Sequence, residues 1–195
     1  MRLYLIRHPK PDVEKGLCYG QTDVPLLTGW QVQAELLNQY LRHTCEHGKV
    51  EFFHSPLSRA AKLAMSISQN ESQSVEGLKE LDFGYWENTL WCDISKASID
   101  AWLENIVDSA PYHGESLQML AKRVWRWWLS VKGSEAEHLI VVTHSGVIKV
   151  LVSLLCQWPL SQAHRIDVGF TSVTELYIQD DYISLKRLGA GDWVI

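Results

Sequence analysis

The apolar positions of this chain fall into short continuous runs separated by stripes at helical spacing. Leu3–Ile6 is a run that predicts a short buried strand, and residues 9–27, rich in Pro, Gly and Asp, predict a loop. Val32, Leu36, Leu37, Tyr40 and Leu41 share one face of a helix for which Thr28 is the expected N-cap. Val50, Phe52 and Phe53 predict a second strand, followed by a helix from about Pro56, since proline suits a first helical turn. Residues 78–87 read as a loop with Gly84 as a hinge, and 94–107 as a helix. Leu117, Leu120, Val124, Trp128 and Val131 mark another amphipathic helix, with Ser116 or Gly114 near its start. The run 139–143 is of the kind buried on both faces of a parallel sheet, and a helix follows from Val147 to Leu155, stopping before Pro159. The tail predicts two β segments, 170–178 and 182–188, turning at Asp180 and Asp181.

Strands alternating with helices imply an α/β protein, a layered fold with a mostly parallel central sheet. Ligands in such folds sit beyond the carboxyl ends of the strands. Arg7 and His8 follow one predicted strand and His144 follows another, so the three can face one crevice.

Composition narrows the picture without changing it. There is no repeat, low-complexity segment or linker, so residues 1–195 are expected to form a single domain. The formal net charge of -5 argues against a nucleic-acid partner, and any anion site must come from a few concentrated cations. Cys18, Cys45, Cys92 and Cys156 lack paired spacing and read as thiols in a reducing compartment rather than as a zinc cluster. The apolar run before Arg7 is too short for a signal segment, and no stretch reaches membrane-spanning length, so a cytoplasmic location is expected.

Singly, each polar candidate has a bland reading. Arg7, Arg59 and Glu80 could be solvated, and His8 and His144 could be hydrogen-bonded strand ends. Together they match what phosphoryl transfer through histidine needs. Arginine forks fit phosphate oxygens and stay charged. A neutral imidazole is a competent nucleophile, and a carboxylic acid can hand its proton to the departing oxygen.

The segments LIRH (5–8), CYGQTDVPL (18–26), SPLSRA (55–60), LKELDFGYWE (78–87), HGES (113–116) and VVTHSG (141–146) occur in one order along the chain. In that order and spacing they resemble the histidine phosphatase superfamily, the fold of the cofactor-dependent phosphoglycerate mutases. The resemblance implies a three-layer α/β/α sandwich and metal-independent phosphomonoester hydrolysis without a cofactor. It implies that His8 becomes phosphohistidine, that Arg7, Arg59, His144 and the amide of Ser145 surround the phosphoryl group, and that Glu80 is the proton donor. Asp82, two residues on, is the alternative donor. Gln21, Thr22 and Glu115 are implied substrate-binding positions, while Ser116 could serve only as a cap.

There are departures from the family pattern. Its usual glycine, glutamate, threonine and asparagine after the first histidine are here Pro9, Lys10, Pro11 and, by counting, Glu14. Lys10 either replaces lost charge or points to solvent. Leu63 stands where threonine is frequent, a change expected in packing.

GLCYGQTDVPL (16–26) is similar to the matching segment of alpha-ribazole phosphatases, which implies alpha-ribazole 5'-phosphate as substrate. Tyr19, Tyr85, Trp86 and Trp91 are then candidates to stack on its base. A broad-specificity phosphatase, a phosphoglycerate mutase and a non-catalytic phospho-ligand-binding protein are the other readings. Oligomeric state is left open.

Overall fold

The structure, a computed structural model, describes residues 1–110 and 112–191. In chain order its strands are β1 (Arg2–Arg7), β2 (Leu17–Cys18), β3 (Val50–His54), β4 (Gln73–Ser74), β5 (Thr89–Leu90), β6 (His138–Thr143), β7 (Val173–Gln179) and β8 (Tyr182–Ala190). Its α-helices are α1 (Trp30–Thr44), α2 (Ser58–Ile67), α3 (Lys96–Glu104), α4 (Leu117–Val131) and α5 (Ser145–Leu155). The central sheet has the order β4-β3-β6-β1-β7-β8, while β2 and β5 form a separate two-stranded ribbon. Strands β4, β3, β6 and β1 are parallel, and β7 and β8 add an antiparallel edge. The fold is thus the expected α/β sandwich with a mostly parallel sheet.

The period-2 alternation of side chains divides the core into two layers. Leu3, Leu5, Leu139 and Val141 face α4 and α5, whereas Tyr4, Ile6, Ile140 and Val142 face α1 and α2. Both faces of β1 and β6 are covered, which is why their sequences are apolar without interruption. In α5, Val147, Ile148, Val150, Leu151, Val152 and Leu155 are all buried, so this helix is apolar on more than one face. Leu63 lies fully buried in the α1/α2 layer, where a methyl-rich side chain is well used. Among the described residues no helix is long and apolar enough to cross a membrane.

Several local expectations need correction. Helix α1 is entered through Gly29 in the left-handed region (φ 87°), with no side-chain cap, so Thr28 falls one residue outside it. Helix α2 starts at Ser58, later than Pro56, because its first amide and hydroxyl donate to the Asp23 carboxylate at 2.9 and 2.8 Å. Asp23 caps the helix from a distant loop, which local sequence cannot reveal. Ser116, not Gly114, caps α4 by accepting from the Met119 amide. Gly84, expected as a hinge, is a packing glycine: at φ 46° a Cβ there would overlap the Tyr112 carbonyl. Strand β7 begins at Val173, leaving Phe170 in the preceding loop.

Candidate active site

The register of β1 and β6 pairs Arg7 with Thr143, so His8 and His144 leave the sheet side by side at its carboxyl edge. The amide of His8 donates to the Thr143 carbonyl at 2.9 Å. The two rings are 5.1 Å apart between centroids, and both residues are buried. Nδ1 of His8 lies 2.7 Å from the Pro9 carbonyl. A carbonyl only accepts, so Nδ1 carries the proton and Nε2 keeps its lone pair. Burial, and then Arg59 and Arg7, hold the His8 pKa well below the usual histidine value, against the opposing pull of the Pro9 carbonyl. His8 is therefore a neutral imidazole at neutral pH.

His144 is held neutral in the same way, by burial first and then by His8, Arg59, Arg123 and Arg7. Its Nε2 is 2.7 Å from Ser55 Oγ, which also accepts from the Leu57 amide at 3.3 Å. The other ring nitrogen, Nδ1, is buried without a protein partner.

The arginines are anchored by backbone carbonyls. Arg7 Nη1 donates to Val168 O at 2.6 Å, and its guanidinium stacks 3.8 Å from the Phe170 ring centroid. Phe170 also packs against His8 at 5.7 Å. Arg59, on the first turn of α2, is fully buried and donates to Thr22 O at 2.8 Å and Gly20 O at 2.6 Å. Three nitrogens in this group, the donors Arg7 Nε and Arg59 Nε and the ring atom His144 Nδ1, are buried without a hydrogen-bond partner. Proteins seldom leave such groups unsatisfied, and a shared anion would satisfy them. Ser145 opens α5 directly after His144, so its amide has no intrahelical acceptor and adds to the same donor field.

Glu80 reaches the site from the segment after a short 3-10 turn at Glu76–Leu78. Its Oε2 accepts from the Gly146 amide at 3.1 Å and its Oε1 from the Leu81 amide at 3.0 Å. A Cβ on residue 146 would overlap Oε1, so this approach requires glycine. Asp82 is committed elsewhere, accepting from the Gly84 amide at 2.8 Å within its own turn. Of the two carboxylates considered, Glu80 is the one at the helix terminus that carries His144.

The remaining predicted residues are held by protein partners. The amides of Gln21 and Thr22 donate to Glu87 at 2.8 and 2.6 Å, and the Thr22 hydroxyl donates to the same carboxylate. Gln21 Nε2 donates to Glu80 O at 3.0 Å and lies 3.5 Å from Glu115 Oε2. Glu115 forms an ion pair with Arg123, so its charge is already matched. Lys10 is exposed and lines a hollow with Pro11, Glu14, Lys15, Tyr19 and Phe170, the last two of which also meet the site's arginines.

Of the aromatic candidates, only Tyr19 meets the site, 5.0 Å beneath the Arg59 guanidinium. Trp86 and Trp91 pack with Phe83, Trp102 and Tyr112 in a satellite core, and Tyr85 is exposed. Ser55, Glu87, Arg123 and Phe170 were not singled out from sequence. Ser55 and Glu87 lie inside the quoted segments SPLSRA and LKELDFGYWE, and that membership was the available signal for each.

A cavity of about 210 Å³ opens beside Glu80, Ser145 and Gly146. Leu81, Phe83, Trp102, Ile106, Leu117 and Leu120 make most of its wall. Lys149 and His164 are its two ionisable contributors besides Glu80. Burial pulls the Lys149 pKa down, and nearby Glu80 opposes this.

Two buried neutral histidines at the sheet's carboxyl edge, beside two anchored arginines, suit the handling of a phosphoryl group. The chain belongs to the histidine phosphatase superfamily (branch 1), whose family model matches residues 3–191. It is 32% identical to the adenosylcobalamin/alpha-ribazole phosphatase of Escherichia coli (strain K12), over 97% of this chain and 96% of the relative. It is 31% identical to a candidate phosphoserine phosphatase 2 of Hydrogenobacter thermophilus, over 96% of this chain and 94% of the relative. Among solved structures, the alpha-ribazole phosphatase from Shigella flexneri superposes with a TM-score of 0.84 at 26% identity, covering 97% of this chain and 96% of that one.

Proposed function

We propose that this phosphatase hydrolyses alpha-ribazole 5'-phosphate through a phosphohistidine on His8, in the cytoplasm. In the first step the Nε2 lone pair of His8 attacks phosphorus, the phosphorus–oxygen ester bond breaks, and the Glu80 carboxylic acid gives its proton to the departing alkoxide. In the second, water attacks phosphorus in line, the nitrogen–phosphorus bond breaks, and the Glu80 carboxylate takes the water's proton. Phosphate leaves, and His8 and Glu80 return to their starting protonation states. Arg7, Arg59, His144 and the Ser145 amide face the equatorial oxygens, where charge builds in a loose transition state.

The observation that carries the substrate reading is the apolar cavity beside Glu80. The leaving alcohol must pass the proton donor, so what lies beyond Glu80 meets that alcohol's substituent. Phe83, Trp102, Leu117 and Leu120 suit a flat apolar base and offer little to a small charged group. The relatives named as alpha-ribazole phosphatases support the same choice.

One specific feature favours a second reading, phosphoserine: Lys149 and His164 border that cavity and could receive a carboxylate. The deciding experiment compares kcat/KM for alpha-ribazole 5'-phosphate, phosphoserine, 3-phosphoglycerate and nitrophenyl phosphate. A preference of about a hundredfold for the first, equivalent to about 2.7 kcal/mol of differential transition-state binding, is expected. A comparable preference for phosphoserine would replace the substrate reading. Conversion of 3-phosphoglycerate to its 2-isomer would mark a mutase, and binding without phosphate release from any ester would mark a non-catalytic protein.

A further inference from the structure

Arg123 lies on α4, two turns beyond the Ser116 cap, and its guanidinium reaches back to the segment that carries Glu80. Nε and Nη2 donate to the two oxygens of Glu115 at 2.7 and 2.8 Å, a bidentate fork. Nη2 also donates to the Glu80 carbonyl at 2.7 Å, and Nη1 to the Gly77 carbonyl at 2.9 Å. Glu115 Oε2 in turn accepts from the Asp82 amide at 3.2 Å. Residues 77, 80 and 82 are thus gripped by one ion pair. Between Leu78 and Gly84 the chain has no helix or strand of its own to fix its course.

The grip extends to the opposite wall of the site. Gln21 Nε2 donates to the same Glu80 carbonyl at 3.0 Å, and the neighbouring Gly20 and Thr22 carbonyls receive Arg59. The backbone of Glu80 is therefore tied on one side to Arg123 and on the other to the loop that anchors a phosphate-facing arginine. Its carboxylate accepts from the Gly146 and Leu81 amides.

We propose that Arg123, paired with Glu115, is a positioning residue that sets where the Glu80 proton donor stands relative to the leaving oxygen. This rests on the reading of Glu80 as the acid. Arg123 lines an outer groove with Gln21, Lys79, Glu115 and Trp127; its hydrogen bonds run to Glu115 and to the segment that carries Glu80, while its charge is also felt at His144. Proton transfer tolerates little error, and a displacement of about 1 Å costs on the order of a hundredfold. Lysine in place of Arg123 would keep the charge but not the fork, so it cannot hold Glu115 and two carbonyls together.

A clamp that serves only folding and one that positions an acid differ in leaving-group dependence. The test is kcat/KM of Arg123→Gln, Arg123→Lys and Glu115→Gln on an alkyl phosphate and on nitrophenyl phosphate, whose leaving group needs no proton. The alkyl ester is expected to lose about a hundredfold and the nitrophenyl ester less than about threefold. The double variant Arg123→Gln/Glu80→Gln should be no slower on the alkyl ester than Glu80→Gln alone, because the two act through one group. Equal losses on both esters, or additive losses in the double variant, would overturn the positioning role while leaving Glu80 as the acid. Should Glu80→Gln itself slow both esters equally, the acid assignment fails and this inference fails with it. Glu115→Gln keeps the acceptor oxygen and the helix cap beside it, so it reads the same property if the Arg123 variants fold poorly.

Discussion

Glu80 Oε1 occupies the space that a side chain on Gly146 would need, while Gly146 donates its amide to Glu80 Oε2. The proton donor and the helix following His144 are thus fitted to one another at backbone level. Gly146→Ala is expected to push the carboxylate aside and lower kcat on alkyl phosphates by at least tenfold. Stability should hold or rise, because alanine is favoured over glycine within a helix by about 1 kcal/mol. Thermal melting alongside steady-state kinetics checks both halves. An unchanged kcat would mean that Glu80 need not stand where it is seen.

With Nδ1 of His8 engaged by the Pro9 carbonyl, the proposed mechanism puts the phosphoryl group on Nε2. A rapid alkaline quench during turnover should trap phosphate on Nε2, distinguishable from the Nδ1 isomer by phosphorus NMR. His8→Ala should show no turnover, with a melting temperature near that of the parent. Phosphate on Nδ1, or turnover in the alanine variant, would break the proposed mechanism.

Stability should depend on pH in a direction set by the two buried histidines. Their folded-state pKa values lie well below the unfolded value near 6.5, by burial first and the nearby arginines and imidazoles after it. Above about pH 6.5 both states hold these rings neutral, and neither contributes a slope. As pH falls below that, the unfolded chain takes up protons that the folded protein refuses, so stability drops. The slope is up to about 1.4 kcal/mol per pH unit for each histidine until its folded pKa is reached. Chemical denaturation between pH 7 and 5 checks this, and His8→Asn should make the slope shallower. A slope that His8→Asn leaves untouched would remove His8 from the account.

The reach of Asp23 to α2 can be measured separately. Asp23→Ala removes both bonds to Ser58 and should cost about 1 kcal/mol, a typical N-cap loss. In a chain of this size that lowers the melting temperature by about 3 °C. Since the adjacent Thr22 carbonyl receives Arg59, KM should rise as well. A variant with unchanged stability would show that the helix start needs no partner from the loop.

The sequence disclosed the strand ends well because burial on both faces leaves a continuous apolar run, and a histidine after such a run stands out. Arg7, His8 and His144 were legible for that reason, and register alone brings them together. Arg59 and Glu80 were legible only through motif order, since neither sits in a distinctive local pattern. Arg123 gave no signal, and Glu87 and Asp23 gave only their place inside quoted segments, with no hint of what they bond to. Each acts on residues 35 to 65 positions away, and a lone charged side chain on a helix or loop gives no hint of its distant partner. The roles first given to Trp86 and Trp91 failed differently. An aromatic in a loop is as able to build a small core as to line a site, and here a second core existed for it to join.

That second core separates two tasks that the fold performs. Arg7, His8, Arg59 and His144 hang on β1, β6 and the starts of α2 and α5, all rooted in the main layers. Phe83 and Trp102, on the substrate side of Glu80, belong to the aromatic cluster built on segments between β2 and α4. Exchange of side chains in that cluster can reshape recognition while the phosphoryl machinery keeps its alignment. One reaction can in this way be lent to many alcohols, with Phe83, which packs against both the main core and the aromatic cluster, as the link between the two regions.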